Sequence, residues 1–229
     1  TDTHVVVEEV AMKWGGVMPA DSGEILAQDL RQLVDEAAPD LIIASGDLTN
    51  LGTLAELRSF QKAVQSIQTP VIPVFGGHDG NEERFAGEAG GTFTRNYEEV
   101  LGPTYYSFDR GGRHFVLYAQ ENYFFSEADQ RRKERWLWED LALQPQEREI
   151  VLVMHTPPRL AFLEQLAAYN VTLLLHGHWH SSKVFTHGRT TVASAPPIGF
   201  GGIDTTSRGY RLARFGEDGL ELELRTLDQ

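Results

Sequence analysis

Apolar positions divide the chain into alternating helices and strands, followed by strands alone. Ile25, Leu26, Leu30, Leu33, Val34 and Ala37 recur at helical spacing, and Pro39 ends that helix. Residues 41–45 are a short apolar run, the pattern of a strand covered on both faces. Thr53 and Glu56 form a capping box that opens a second helix, with Leu57, Phe60, Val64 and Ile67 on one side. Pro70 closes it, and residues 71–75 predict the next buried strand. Residues 76–92 are glycine-rich, irregular and long enough for a functional loop. Residues 105–109 and 114–119 read as a hairpin around Arg110, Gly111 and Gly112. Ser126 and Asp129 cap a helix carrying Trp136, Leu137, Leu141 and Leu143. Residues 150–154 predict a third buried strand, 159–169 a helix and 171–175 a fourth strand. Two hairpins complete the pattern, 183–187 with 190–194 and 209–215 with 220–226. No repeat or linker interrupts the chain, so residues 1–229 predict one domain, a mixed α/β core with added antiparallel strands.

Composition narrows the chemistry. With 41% hydrophobic and 23% charged residues, the chain can bury a core and is not of disordered composition. No apolar run reaches the roughly 18–20 residues that a membrane-spanning helix needs, and residues 1–10 lack the marks of a secretory signal. Cysteine is absent, which removes disulfides, thiolate nucleophiles and Cys-ligated zinc, and suits either side of a membrane. The compartment, cytoplasmic or exported, is therefore left open. The formal net charge of −13 repels nucleic-acid phosphates unless a local feature reverses the sign.

The predicted strands end alike. Residues 41–45 run into Gly46-Asp47, residues 71–75 into Gly76-Gly77-His78-Asp79, residues 150–154 into His155, and residues 171–175 into His176-Gly177-His178-Trp179-His180. Ligands of open α/β sheets bind beyond the carboxyl ends of the strands, so four core strands deliver Asp or His to one edge. Any one such residue is more often a turn or cap residue. Their co-occurrence, with His4 as a further candidate, has a common physical reason in a bound metal. Mixed His and Asp without Cys favour Mn, Fe, Zn or Co. The donors exceed the needs of one tetrahedral ion. Two divalent ions about 3.5–4 Å apart, bridged by a carboxylate, would use them.

These residues resemble the calcineurin-like metallophosphoesterases, whose motifs occur here in order as Asp2-Thr3-His4, Gly46-Asp47, Gly76-Gly77-His78-Asp79, His155 and Gly177-His178-Trp179-His180. The resemblance covers positions 2–180. It implies a four-layer α/β/β/α sandwich, with two mixed sheets flanked by helices and a dinuclear site between the sheets. It further implies that Asp2, His4 and His180 hold a first metal, that Asp47 bridges, and that His155 and His178 hold a second. His78 would stand beside the leaving group, oriented by Asp79. The implied activity is hydrolysis of small-molecule phosphomonoesters or phosphodiesters by a hydroxide bridging two divalent ions. Two departures matter. The family's asparagine, a ligand of the second metal, is Gly77 here, and water, substrate, Asn50 or Asn81 would have to fill its place. The family's first motif also follows a core strand, whereas Thr1 alone precedes Asp2, so that strand is expected upstream of residue 1. The alternative reading is a degenerate member, a binding or regulatory domain with an impaired second metal site.

Other residues carry plainer expectations. His114 is expected to be structural, His187 to face solvent at a turn, and His176 to pack between sheets. Trp179, between two candidate ligands, is placed near the mouth of the site. Trp14, Gly15 and Gly16 fall in a stretch that could form a lid. Arg131, Arg132, Lys133 and Arg135 read as a solvated helix face rather than a nucleic-acid patch. Loops 14–24, 80–96 and 196–207 are the segments that would select a substrate. No helix carries the H-E-x-x-H pattern of a metallopeptidase.

Overall fold

Val10–Ala11 (β1) and Val17–Met18 (β2) form a short antiparallel ribbon ahead of helix α1 (Ser22–Ala37). The apolar stripe of α1 is buried at Leu26, Leu30 and Leu33. The helix stops where Ala38 turns left-handed and returns its N–H to the Val34 carbonyl, just before Pro39. The computed structural model describes residues 1–11, 17–80, 93–199, 202–217 and 219–227, so Trp14, Gly15, Gly16 and Asn81 lie outside the described residues.

Strand β3 (Ile42–Ala44) leads to helix α2 (Leu54–Val64), which opens with the expected capping box. Thr53 Oγ1 accepts from the Glu56 N–H, and Glu56 returns a carboxylate oxygen to the Thr53 N–H. Strand β4 (Val71–Pro73) pairs in parallel with β3, Ile42 opposite Val71. A short helix α3 (Arg95–Val100), absent from the periodicity, follows. Strands β5 (Tyr105–Arg110) and β6 (Arg113–Tyr118) form the expected hairpin. A 3₁₀ turn at Asn122–Phe124 then leads into helix α4 (Glu127–Ala142), capped by Ser126. Strand β7 (Ile150–Val153), helix α5 (Leu160–Leu166) and strand β8 (Val171–His176) make a parallel crossover unit. Strands β9 (Val184–His187) and β10 (Thr190–Ser194), then β11 (Gly209–Gly216) and β12 (Gly219–Thr226), are the two predicted hairpins.

Four layers result. The six-stranded sheet has the order β5-β6-β7-β8-β10-β9, with parallel pairs at its centre and an antiparallel hairpin at each edge. One face packs Leu152, Met154 and Leu174 against Leu137 and Leu141 of α4 and Leu163 and Leu166 of α5. The other face packs Val151, Val153 and Leu173 against Ile43 and Ile72 of β3–β4 and Leu220 and Leu222 of β12. The helices α1, α2 and α3 cover the far side of β3–β4 through Leu30, Leu57, Phe60 and Tyr97. The chain is therefore the expected α/β fold, a mixed six-stranded sheet and a second β layer flanked by helices. Within that second layer, β3–β4 and β11–β12 remain separate pairs among the described residues. An apolar cavity of about 840 Å³, lined by Leu30, Leu33, Ile43, Val151, Leu173 and Leu212, lies between them.

The fold corrects several expectations. Lys133 is not on a solvated face. It sits one turn before Leu137 on the buried stripe of α4, is 0% exposed, and donates from Nζ to the Ala119 carbonyl at 2.5 Å. Its ammonium lies over the rings of Tyr118 and Phe125, and burial pushes its pKa down to about 8. Leu143, counted in the apolar stripe, falls at the C-cap of α4 and is 80% exposed. The helix expected over 159–169 is shorter, spanning Leu160–Leu166, with Arg159 still extended at its N-cap.

Candidate metal centre

The amino-terminal segment reaches the site by running beside the chain that leaves β3. The N–H groups of Asp2, His4 and Val5 donate to the carbonyls of Gly46, Asp47 and Leu48 at 3.0, 3.0 and 2.9 Å. That pairing sets Asp2 and His4 beside Asp47. The chains leaving β7 and β8 bring His155, His178 and His180 to the same place.

Two groups of donors form. Asp2, His4, Asp47 and His180 each offer an atom within 4.8 Å of the others, and so do Asp47, His155 and His178. Asp47 belongs to both. Its Oδ2 lies 2.9 Å from His155 Nε2 and 3.8 Å from His4 Nε2, while Asp2 Oδ1 lies 3.3 Å from His180 Nε2. The six side chains assigned to two ions by motif thus converge in the folded chain. All but His178 are buried, and His178 with the half-buried His78 forms the side open to solvent.

Backbone conformation accounts for the convergence. Asp2, His4, Asp47, His178 and His180 all have positive φ, between 43° and 68°; among the described residues the other such non-glycine residues are Ala38 and Thr205. A left-handed residue costs an L-amino acid about 1–2 kcal/mol. Its concentration in one cluster marks a functional site rather than a convenient turn. Each turn swings a side chain off the strand direction towards the shared centre.

Hydrogen bonds orient the rings. His155 Nδ1 donates to the Ser45 carbonyl at 2.9 Å, which leaves Nε2 facing Asp47. His78 Nδ1 donates to the Asn50 carbonyl at 2.8 Å, and its main-chain N–H donates to Asp47 Oδ1 at 2.8 Å. The His178 N–H donates to both Asp2 oxygens at 3.2 Å.

The resemblance implies that Asp79 orients His78, but among the described residues its hydrogen bonds go to other groups. Its Oδ1 accepts the N–H groups of Leu48 and Thr49 and the Thr49 hydroxyl, each at 2.9 Å, and its Oδ2 accepts the Gly76 N–H at 2.9 Å. Asp79 clamps the loop carrying Asp47 to the loop carrying His78, and the Asn50 carbonyl holds the ring. The reason is steric reach: a buried carboxylate beside three main-chain donors is satisfied there.

The electrostatics fit cations. Burial opposes ionisation of Asp47 and Asp2, yet neighbouring imidazoles outweigh it, and both carboxyls stay below the usual carboxylate range. His155 is opposed by burial but raised to about 10 by the Asp47 carboxylate. His4 is lowered to about 3 by burial, with further repulsion from His78 and His180. Ionised carboxylates beside imidazoles in a buried cluster are the donor set of a borderline divalent ion. His155 Nε2 is buried without an aligned hydrogen bond despite its 2.9 Å approach to Asp47, which is the orphaned atom a metal would satisfy.

Of the remaining histidines, His114 is structural, with Nδ1 at 2.7 Å from Asp109 and Nε2 at 2.9 Å from Asp140. His176 is buried with Nδ1 donating to the Gly177 carbonyl, and Trp179, 44% exposed, stands edge-on to it at the rim. Sequence reasoning missed Glu121 and Tyr123. Glu121 is buried near His155 and accepts from the Thr156 N–H and hydroxyl at 3.2 and 2.8 Å. The rule that found the other residues, polar groups just past an apolar strand, applies equally to residues 119–123 after β6.

The layered fold and the histidine–carboxylate cluster at its strand ends define a metallohydrolase-type protein. The chain belongs to the calcineurin-like phosphoesterase family, whose model matches residues 1–182, and it is by that membership a hydrolase of phosphoric esters. It is 27% identical over 213 residues to a probable cyclic nucleotide phosphodiesterase of Synechococcus sp., covering 86% of this chain and 77% of that one. A probable cyclic nucleotide phosphodiesterase of Xenorhabdus bovienii is 22% identical over 213 residues, with 82% and 79% covered. Among solved structures, the Plasmodium inner-membrane-complex anchor GAP50 superposes with a TM-score of 0.61 at 15% identity, covering 95% of this chain and 83% of that chain. A purple acid phosphatase from yellow lupin gives 0.58 at 14% identity, with 98% of this chain and 47% of that chain covered. Among the described residues no helix is long and apolar enough to cross a membrane.

Proposed function

We propose that this chain is a phosphodiesterase working with two divalent ions, and that cyclic nucleotides are its first candidate substrates. The observation that carries the reading is Asp47, which belongs to both donor groups at once. Asp2, His4 and His180 would hold the first ion, His155 and His178 the second, and Asp47 would bridge. When bound, the two ions supply an acidified water as nucleophile and positive charge for the phosphoryl oxygens. Against Asp2 and Asp47 they leave a local charge of about +2, which lets a protein of net charge −13 hold a phosphate ester. The names of the two relatives support the diester.

The chain's own groups complete the chemistry. His78 holds its Nδ1–H on Asn50, so Nε2 is the nitrogen available at the open side. A proton carried there passes to the departing oxygen, a contribution of about 10²–10⁴-fold. Asp79 keeps the His78 loop at fixed height over Asp47 through its bonds to Leu48, Thr49 and Gly76. The buried face of the cluster excludes water, and the exposed rim of His178 and Trp179 admits substrate.

The test is hydrolysis of bis(p-nitrophenyl) phosphate and of 3′,5′- and 2′,3′-cyclic nucleotides by Mn²⁺-loaded protein, beside His78→Ala. Turnover that falls by about 10²–10⁴-fold in the variant, with metal content retained, is expected. Gly77 favours the second reading, a binding domain. One ion per chain with no turnover would establish that alternative instead.

A further inference from the structure

Gly77 raises a specific question, because a glycine offers no donor where the family motif has an amide. A Cβ built on Gly77 would lie 2.7 Å from the Tyr123 hydroxyl oxygen and 3.8 Å from Asp47 Oδ1. The phenol oxygen therefore stands in the volume that a side chain at position 77 would enter, on the same side as Asp47. Any residue larger than glycine there would push the hydroxyl away. Gly77 and Tyr123 are thus a matched pair, in which one vacates the space the other's oxygen occupies.

The local chain holds Tyr123 there. It sits in the Asn122–Phe124 turn, whose neighbours are fixed from several sides. Gln130 Nε2 donates to the carbonyls of Asn122 and Phe125 at 2.9 Å. The Phe124 carbonyl accepts the Phe93 N–H at 2.8 Å. Phe124 is buried with its ring against Gly80, and Glu121 is tied to Thr156 beside His155. The Lys133 ammonium grips the Ala119 carbonyl just upstream. A buried frame thus carries a tyrosine that is itself 59% exposed, with its hydroxyl beside Gly77 in the loop next to Asp47.

We propose that the Tyr123 hydroxyl supplies the oxygen ligand that Gly77 cannot, completing the second ion's site with Asp47, His155 and His178. The inference rests on the two-ion reading above. It replaces an amide oxygen from the loop after β4 with a phenolic oxygen from the turn after β6. A phenol is a harder donor than imidazole and can ionise when it binds, so it suits a borderline or hard divalent ion.

Metal binding to the stripped 229-residue chain tests this without recourse to turnover. Mn²⁺ titration by calorimetry, with ions per chain counted after dialysis, resolves the two binding steps. Tyr123→Phe keeps the exposed ring and the fold. It is expected to leave the first step unchanged and to weaken the second by at least the effect of losing an outer-sphere partner, about 10–100-fold. Adding Gly77→Asn to Tyr123→Phe is expected to restore the second step. With Co²⁺, the visible spectrum of the second ion should change in Tyr123→Phe, because its donor set loses the phenolic oxygen. A second step of equal affinity in Tyr123→Phe, with an unchanged Co²⁺ spectrum, overturns the inference while leaving the two-ion reading standing. Parent protein that takes up fewer than two ions overturns both.

Discussion

Gly46→Ala is the sharpest single test of how the centre is built. Gly46 has φ of +89°, and a Cβ there would lie 2.5–2.6 Å from Nδ1, Cβ and Cγ of His155. The ring has no room to retreat: it is fully buried and its Nδ1 is held by Ser45 at 2.9 Å. Left-handed backbone costs alanine about 1–2 kcal/mol, and overpacking against a fixed neighbour costs about 1–3 kcal/mol. The expected destabilisation is about 2–5 kcal/mol, inside the roughly 5–15 kcal/mol that keeps a domain folded. The variant should therefore fold, with His155 displaced from Asp47. Denaturation of the metal-free protein measures the first quantity, and Mn²⁺ stoichiometry the second. One ion per chain should remain, held by Asp2, His4, Asp47 and His180. A loss of under about 1 kcal/mol together with two ions bound would show that the approach of Gly46 to His155 does not shape the site.

Further expectations concern the clamp, the pH response and proton release. Asp79→Asn keeps the shape but sets an amide N–H₂ against a main-chain donor, so unfolding free energy should fall by about 1–3 kcal/mol; an unchanged denaturation midpoint would contradict the clamp. In the metal-free chain the raised pKa of His155, about 10, adds stability that is complete below its unfolded value near 6.5 and is lost as pH rises towards 10. Burial also raises Asp79, to about 8, an acid shift that likewise removes stability between its unfolded value and pH 8. Metal-free protein should thus weaken between about pH 6.5 and pH 8, while above pH 8 the depressed pKa of Lys133 returns stability that offsets the His155 loss, and a midpoint that climbs between pH 6.5 and 8 refutes the assignment. On the two-ion proposal, binding of a second ion would displace the His155 proton. Calorimetry in buffers of different ionisation heat should show proton release at pH 7.5, and buffer-independent heats would exclude it.

Much of the site was legible because local chemistry repeats. Short apolar runs ending in glycine, aspartate or histidine are readable without partners, and parallel strands necessarily point their carboxyl ends one way. That sufficed for Asp47, His78, His155, His178 and His180. The same rule extends to Glu121 and Tyr123, but β6 reads locally as one arm of a hairpin, and its parallel pairing with β7 is a long-range fact. Lys133 carries the opposite lesson, because its charge hides its register. Its spacing from Leu137 and Leu141 put it on the buried stripe, where its long stem and one carbonyl partner satisfy it.

Local sequence settled the order of helices and strands, the capping box of α2 and the cap of α4, the breaks at proline, and the set of side chains able to hold cations. These depend on neighbours a few residues apart. Tertiary structure alone decided that Asn50 rather than Asp79 holds the His78 ring, and that a tyrosine from another loop stands beside Gly77. Each of those contacts joins segments whose separation along the chain carries no local signal. They exist because left-handed turns at the strand ends and packing between layers bring distant backbone into register.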